Sequence, residues 1–162
     1  MNEKPKSVLQ PVTPEVVAEA RAIIAGADHA ALAVLEPGTG HPLVSRVGLA
    51  TLADGSPLII VSGLTAHAKA LAADPRCSLL VGEAGRGEPL ARPRISLVCR
   101  AEALPALQRE EARARYLARH PKAAVYVDLP DFRFLRLAME RASFNGGFGR
   151  AYEMSGAELV EP

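Results

Sequence analysis

The sequence has no tryptophan, and its 162 residues include only three tyrosines and four phenylalanines. Proteins that hold single-stranded nucleic acid stack bases on aromatic platforms, so that class is disfavoured. The formal net charge is only +1. A chain so balanced has no general basic field for a polyanion, and an anion site must be built from a few placed residues. No nucleic-acid partner is expected. There are two cysteines, Cys77 and Cys99, each inside an apolar segment. Two thiols are too few for a zinc site. Without a secretory signal they are expected as free core thiols, not as a disulfide. No run of about 18 apolar residues free of charge is present, and Met1–Val12 is polar and contains prolines, unlike a signal peptide. A soluble, cytoplasmic chain with no membrane partner is expected. A P-loop, a Gly-x-Ser-x-Gly elbow, a His, Cys, Asp or Glu group at metal spacing and an internal repeat are all missing too. No metal site is expected.

What is there reads as one domain. Residues 1–12 form a flexible arm and residues 13–162 a single unit. Thr13 caps a helix over 14–25, with Pro14 and Glu15 in its first turn and Val16, Val17, Ala20, Ile23 and Ile24 at helical spacing. The period then changes. His29–Leu35 and Leu43–Leu52 read as strands, and Asp54-Gly55 is the signal of a tight hairpin into a third strand, Pro57–Val61. Thr65 opens a short helix that runs to Ala73. Cys77–Val81 and Arg94–Ala103 are further strands, separated by a loop with glycines and prolines. Pro105–Arg119 reads as a helix, with one more helical turn to Val127. Phe132–Met139 is a strand, and 141–145 continue it or pair with it. Arg150–Met154 is a last strand. Antiparallel hairpins dominate and no series of βαβ units appears, so the fold class is α+β, mostly antiparallel: a small barrel with helices outside. Side chains fill the interior of so small a barrel, which leaves a ligand only an outer groove or a subunit contact.

Three places carry possible chemistry. Arg46 lies in an apolar strand between Ser45 and Val47, where a charge either faces solvent or meets an anion. Ser62-Gly63-Leu64-Thr65-Ala66-His67-Ala68-Lys69 leads from a strand into a helix N-terminus. Such an end offers free N–H donors to a phosphate, although, taken alone, the segment is better accounted for by Thr65 as a plain cap and Lys69 in solvent. The hairpin is expected to make the Arg46 strand a neighbour of this segment. Asn145-Gly146-Gly147-Phe148-Gly149-Arg150 is either a sharp turn or a close approach of backbone to a flat ligand, with Phe148 and Arg150 beside it. His41 and His120 each adjoin a proline and read as turn residues.

Together these motifs resemble the pyridoxamine 5′-phosphate oxidase-like flavoproteins. The shared stretches are Ser45-Arg46-Val47, the Asp54-Gly55 hairpin, Ser62 through Leu71, and Asp74-Pro75-Arg76-Cys77-Ser78-Leu79-Leu80. The match to the haem-utilisation (HugZ-like) branch is closer. It rests on Ser62, Leu64 and His67, on Pro93-Arg94, on His120 to Ala123 and on Gly147 to Ala151. The resemblance implies a split β-barrel homodimer with FMN at the interface, and an oxidoreductase chemistry carried by the flavin on a substrate the sequence does not identify. By the same resemblance Arg46 and the His67–Lys69 region meet the phosphate. Val47 and Gly48 line the flavin edge, Ser62 and Leu64 follow the ribityl chain, and Arg94 with the Gly147–Arg150 corner, Phe148 included, lies near the ring. Two alternatives use the same groove: haem, with Arg94 or Arg150 on the propionates, or a binding dimer without cofactor. The oxidase itself has a basic Ser-Arg-Lys run where this chain has Thr65-Ala66-His67, which leaves less positive charge for a phosphate.

Overall fold

The computed structural model describes residues 7–161, so residues 1–6 of the expected arm and Pro162 lie outside it. The first helix, α1 (Pro14–Gly26), begins as its residues require. Pro14 occupies the first turn, the Thr13 hydroxyl accepts from the Val16 N–H, and Val16, Ala20 and Ile24 are buried. The strands are β1 (His29–Leu35), β2 (Pro42–Gly48), β3 (Ala50–Thr51), β4 (Pro57–Ser62), β5 (Arg76–Val81), β6 (Arg94–Ala103), β7 (Phe132–Asn145) and β8 (Ala151–Ser155). The remaining helices are α2 (Ala66–Ala73), α3 (Arg109–Arg119) and α4 (Gly156–Leu159).

All eight strands join one sheet in the order β2-β1-β5-β6-β7-β4-β3, with β8 on β7. The two ends of that order, β2 and β3, are consecutive in the chain and separated by Leu49 alone. One bent segment therefore serves both edges and curls the sheet into a split barrel. The uninterrupted apolar run 43–52 reads as a single strand, and the structure divides it at Leu49. The Leu49 N–H donates to the Asp28 carbonyl at 2.9 Å, and the side chain is fully buried. This corrects the expected neighbours of Arg46. The Asp54-Gly55 hairpin pairs only Ala50 and Thr51 with β4, whereas Arg46 lies in β2, whose ladder is with β1. The stretch 132–145 is one continuous strand, and the residues after β8 form α4.

The inward face of the sheet is buried. Leu32, Val34, Leu79, Ile95, Leu97 and Phe144 pack there against α1. Cys77 and Cys99 are free and buried opposite one another on β5 and β6. Burial pushes the Cys77 thiol up to about 11 and the Cys99 thiol higher still. A second cluster, including Leu58, Tyr116, Val127 and Phe134, lies under α3. The outward face is different. Register places Arg46, Ala31, Leu80, Ser96, Ser143 and Glu153 in one row from β2 to β8. Val44, Ala33, Ser78, Val98, Arg141 and Ser155 form the next, and no residue of either row is buried. Leu9 and Gln10 of the arm lie along β8, where the Gln10 N–H donates to the Ala151 carbonyl at 2.8 Å.

Candidate functional site

Alternation along β2 sends Leu43, Ser45 and Val47 inward and Val44, Arg46 and Gly48 outward. Arg46 is exposed and opposite Ala31. Among the described residues it forms neither an ion pair nor a side-chain hydrogen bond, although acids stand close by. A cavity of about 370 Å³ joins Arg46 to Asp28, His29, Leu80, Gly82 and Glu83. A second, of about 390 Å³, carries on from Asp28, His29 and Arg46 over Val47 and Gly48 to His120. The two form one groove with a single free guanidinium. The acids are directed elsewhere: Asp28 Oδ1 lies 2.5 Å from His29 Nδ1, and Glu83 Oε1 lies 2.9 Å from His29 Nε2. The contact with His29 holds the Asp28 carboxyl below its usual range.

Gly48 also lines this groove, and the space left by its missing Cβ is filled by Tyr116. A Cβ there would stand 2.5 Å from the Tyr116 hydroxyl and 3.4 Å from His120 Cε1. Tyr116 is buried, and its burial drives the phenol far above the usual range. Its ring lies against that of His120 with centroids 4.5 Å apart. His120 Nε2 donates to the Leu49 carbonyl at 2.8 Å, so the imidazole and the Asp28 carbonyl hold the two sides of the barrel's bend. Sequence reasoning left His120 as a turn residue beside Pro121. The available signal was the spacing of Tyr116 and His120, four apart at the end of α3, which stacks two rings on one helix face.

The segment before α2 is self-contained. Thr65 caps α2, accepting from the Ala68 N–H at 3.3 Å and donating to the Ser62 carbonyl at 2.8 Å. The Ser62 hydroxyl donates to Asp131 Oδ2 at 2.7 Å. His67 is half-buried, with Nδ1 3.4 Å from the Ser45 hydroxyl and Nε2 3.3 Å from that of Thr65. Leu64 and Lys69 are exposed. The expected phosphate clamp is therefore divided. His67 meets β2 through Ser45, which faces inward, whereas Arg46 faces outward into the groove.

Burial lowers the His67 pKa from its ordinary 6.5, which leaves the ring neutral near neutral pH. The unfolded chain thus binds the extra proton first as pH falls. The stabilisation is complete above about pH 6.5 and is lost as pH drops through the lower folded-state value. The His67 Cε1–H resonance should titrate with a midpoint below 6.5. A midpoint at or above that value would contradict the burial argument.

Arg94 and the glycine corner meet at the other end of the outward face. Arg94 pairs with Asn145, and its guanidinium donates to the Leu90 and Arg92 carbonyls at 3.0 and 3.2 Å. Gly147 packs on the same loop, its missing Cβ 3.1 Å from the Ala91 carbonyl oxygen, and Phe148 is exposed. Arg150 is engaged: it reaches both oxygens of Glu19 at 3.1 Å and lies 5.8 Å over the Tyr152 ring. Of the sequence candidates, the groove brings together Arg46, Val47 and Gly48 and adds Asp28, His29 and His120.

Comparison with known proteins matches this geometry to a family. Residues 16–146 match the pyridoxamine 5′-phosphate oxidase family model. The chain is 37% identical over 119 residues to the chloroplastic heme oxygenase HOZ of Arabidopsis thaliana, covering 72% of this chain and 36% of that protein. A heme binding protein from Mycobacterium smegmatis superposes with a TM-score of 0.84 at 33% identity, covering 92% of this chain and 61% of that one. A protein of unknown function from Agrobacterium tumefaciens superposes at 0.83 with 35% identity, covering 96% and 65%. The chain spans about a third of the length of the curated relative it matches, at 36%. No helix among the described residues is long and apolar enough to cross a membrane. The curled antiparallel sheet, the family match over 16–146 and these relatives place the chain in the pyridoxamine 5′-phosphate oxidase-like split-barrel family, on its haem-utilisation branch.

Proposed function

We propose that this chain binds haem in the groove beside Arg46 and works as a homodimer. The observation that carries the reading is the solvent-facing Arg46, which has no ion pair among the described residues and lines a groove with Val47, Gly48 and His120. A guanidinium presents a planar fork of donors that matches a propionate carboxylate in bidentate fashion. Gly48 lines the same groove, and the space its missing Cβ leaves is taken by the Tyr116 hydroxyl, so Arg46 is the residue that suits the group. Haem, when bound, would supply a redox-active iron; the chain's own part would be to hold a propionate through Arg46. The relatives named for haem share 33% and 37% identity with this chain, which supports the same reading.

FMN is the second reading, favoured by the family model over 16–146. Against it, the hydroxyls of Ser62 and Thr65 are spent on internal bonds and His67 is held neutral, so Lys69 is the one cation of that segment left for a phosphate. An oxidoreductase activity would rest on the flavin.

The open face of the sheet supports the dimer reading. Its two rows carry mostly small or apolar side chains, among them Ala31, Ala33, Val44, Ser78, Leu80 and Val98, none of them buried. A second copy packed there would close the groove from above.

The test is an absorbance titration of the purified protein with haemin and, separately, with FMN. A saturable Soret shift at one equivalent per protomer is expected. A flavin shift without a Soret response would transfer the assignment to FMN, and silence in both would leave a cofactor-free binding dimer. Sedimentation of the haem-loaded protein as a 17.1 kDa monomer would remove the homodimer.

A further inference from the structure

Cys77 and Cys99 are the chain's two cysteines, and neither lines the groove. The β5–β6 ladder sets them directly opposite one another. Residues paired in this way share a face of the sheet. Both point inward, in a row that runs Val34, Cys77, Cys99, Met139 across β1, β5, β6 and β7. Opposed Cα atoms in an antiparallel pair lie about 4.5 or about 5.5 Å apart, according to the hydrogen-bonding pattern. Both values fall inside the range of about 4.4–6.8 Å that a disulfide spans. Opposed Cβ atoms, at about 4.5–5.5 Å, need to close by only about 1 Å. The other side of β6 is already loosened. Val98 pairs with Arg141 and Cys99 with Met139, so Glu140 is an extra residue that bulges from β7 beside Cys99.

A small solute can reach the pair. Cys77 is 6% and Cys99 1% exposed, yet both line an open cavity of about 330 Å³ with Ala33, Ser78, Val98 and Glu140. We propose that Cys77 and Cys99 form a redox modification site, closed by hydrogen peroxide into a cross-strand disulfide and reopened by a dithiol. Cys77, the more exposed, loses its proton, and its Sγ attacks one peroxide oxygen. The O–O bond breaks, and the departing hydroxide takes up a proton to leave as water. Cys99 Sγ then attacks the sulfur of the Cys77 sulfenic acid. The S–S bond forms, the S–O bond breaks, and the hydroxyl leaves as water with the Cys99 proton. In all, two thiols lose two electrons and one peroxide becomes two waters. Burial raises both thiols, so thiolate is scarce near neutral pH and the bridge forms only under sustained oxidant. Once formed, it fastens β5 to β6 in the middle of the sheet and closes the loop between them into a ring.

The test treats the folded chain with hydrogen peroxide, unfolds it in the presence of N-ethylmaleimide and measures its intact mass. The expected product has lost two hydrogens, takes up no maleimide, yields a linked Cys77–Cys99 peptide and recovers both thiols with dithiothreitol. Its urea midpoint, measured without reductant, should lie above that of the reduced protein, because the cross-link restricts the unfolded chain. Cys99→Ala should instead gain oxygen at Cys77 and show no rise in midpoint. Uptake of two maleimides after peroxide, oxygen added to both sulfurs without a linked peptide, or a bridge that forms only in urea overturns the proposal. If Cys99→Ala does not fold, the reduced and oxidised forms of the wild-type chain decide the question alone.

Discussion

Gly156→Ala should destabilise the fold by about 2–5 kcal/mol, a loss in the range of large core defects. Gly156 opens α4 and is buried directly over β7. A Cβ at this position would fall inside the van der Waals shell of the Met139 carbonyl oxygen, and it would also crowd the Met139 carbon. These are backbone atoms of the longest strand in the sheet, and they cannot swing aside as a side chain does. Relief requires α4 to lift from β7. Leu159, 1% exposed and part of the main core, sits one turn later in the same helix and would lift with it. The capping box that joins Ser155 to Glu158 would not prevent this, because it is contained within the moving segment. Urea unfolding of wild type and variant measures the effect. A midpoint shift equivalent to less than about 0.5 kcal/mol, the scale of ordinary surface changes, would show that α4 does not press on β7 as described. Ala157→Gly, on an exposed neighbouring position, serves as the control for helix propensity alone.

Much of this architecture is legible in the sequence because local signals and tertiary context agree. His29–Leu35 and Arg94–Ala103 are bounded by turn residues, and both form strands with those bounds. Thr13 and Thr65 cap the helices they precede. What was hidden has one physical source: residues whose role depends on a partner far along the chain. Leu49 looks like any apolar member of a strand. Its bend comes from Asp28 on one side and His120 on the other, 21 and 71 positions away, and periodicity carries no trace of either. The same bend moved Arg46 from β4 to β1 and so parted it from His67. His120 was masked by Pro121, a strong local turn signal that accounts for the residue without reference to Tyr116. Arg150 shows the same limit: beside a glycine corner it reads as a free charge, and α1 brings Glu19 to it from 131 positions away. Charges that look free in a sequence are often taken by partners no spacing rule reveals. Arg46 has no such partner among the described residues, and for that reason the groove is read from it.

Arg46→Ala should weaken binding of the groove's ligand by roughly ten- to a hundredfold, the equivalent of about 1.5–3 kcal/mol for hydrogen bonds to a charged group. The side chain is exposed and has no ion pair among the described residues, so its removal leaves no stranded acid and should not change the unfolding midpoint. This separates it from Arg150→Ala, which would strand Glu19. Arg46→Lys keeps the charge but not the planar fork, and should recover only part of the loss if the ligand presents a carboxylate for bidentate contact. Added salt should weaken wild-type binding more than it weakens Arg46→Ala, because the contact is at the surface where ions screen it within about 10 Å at 0.1 M. The dissociation constant for haemin, and for FMN in parallel, is the quantity to measure. An unchanged constant for both ligands would remove Arg46 from the site. A loss confined to one ligand would name the anion this guanidinium serves, a carboxylate in the case of haemin and a phosphate in the case of FMN.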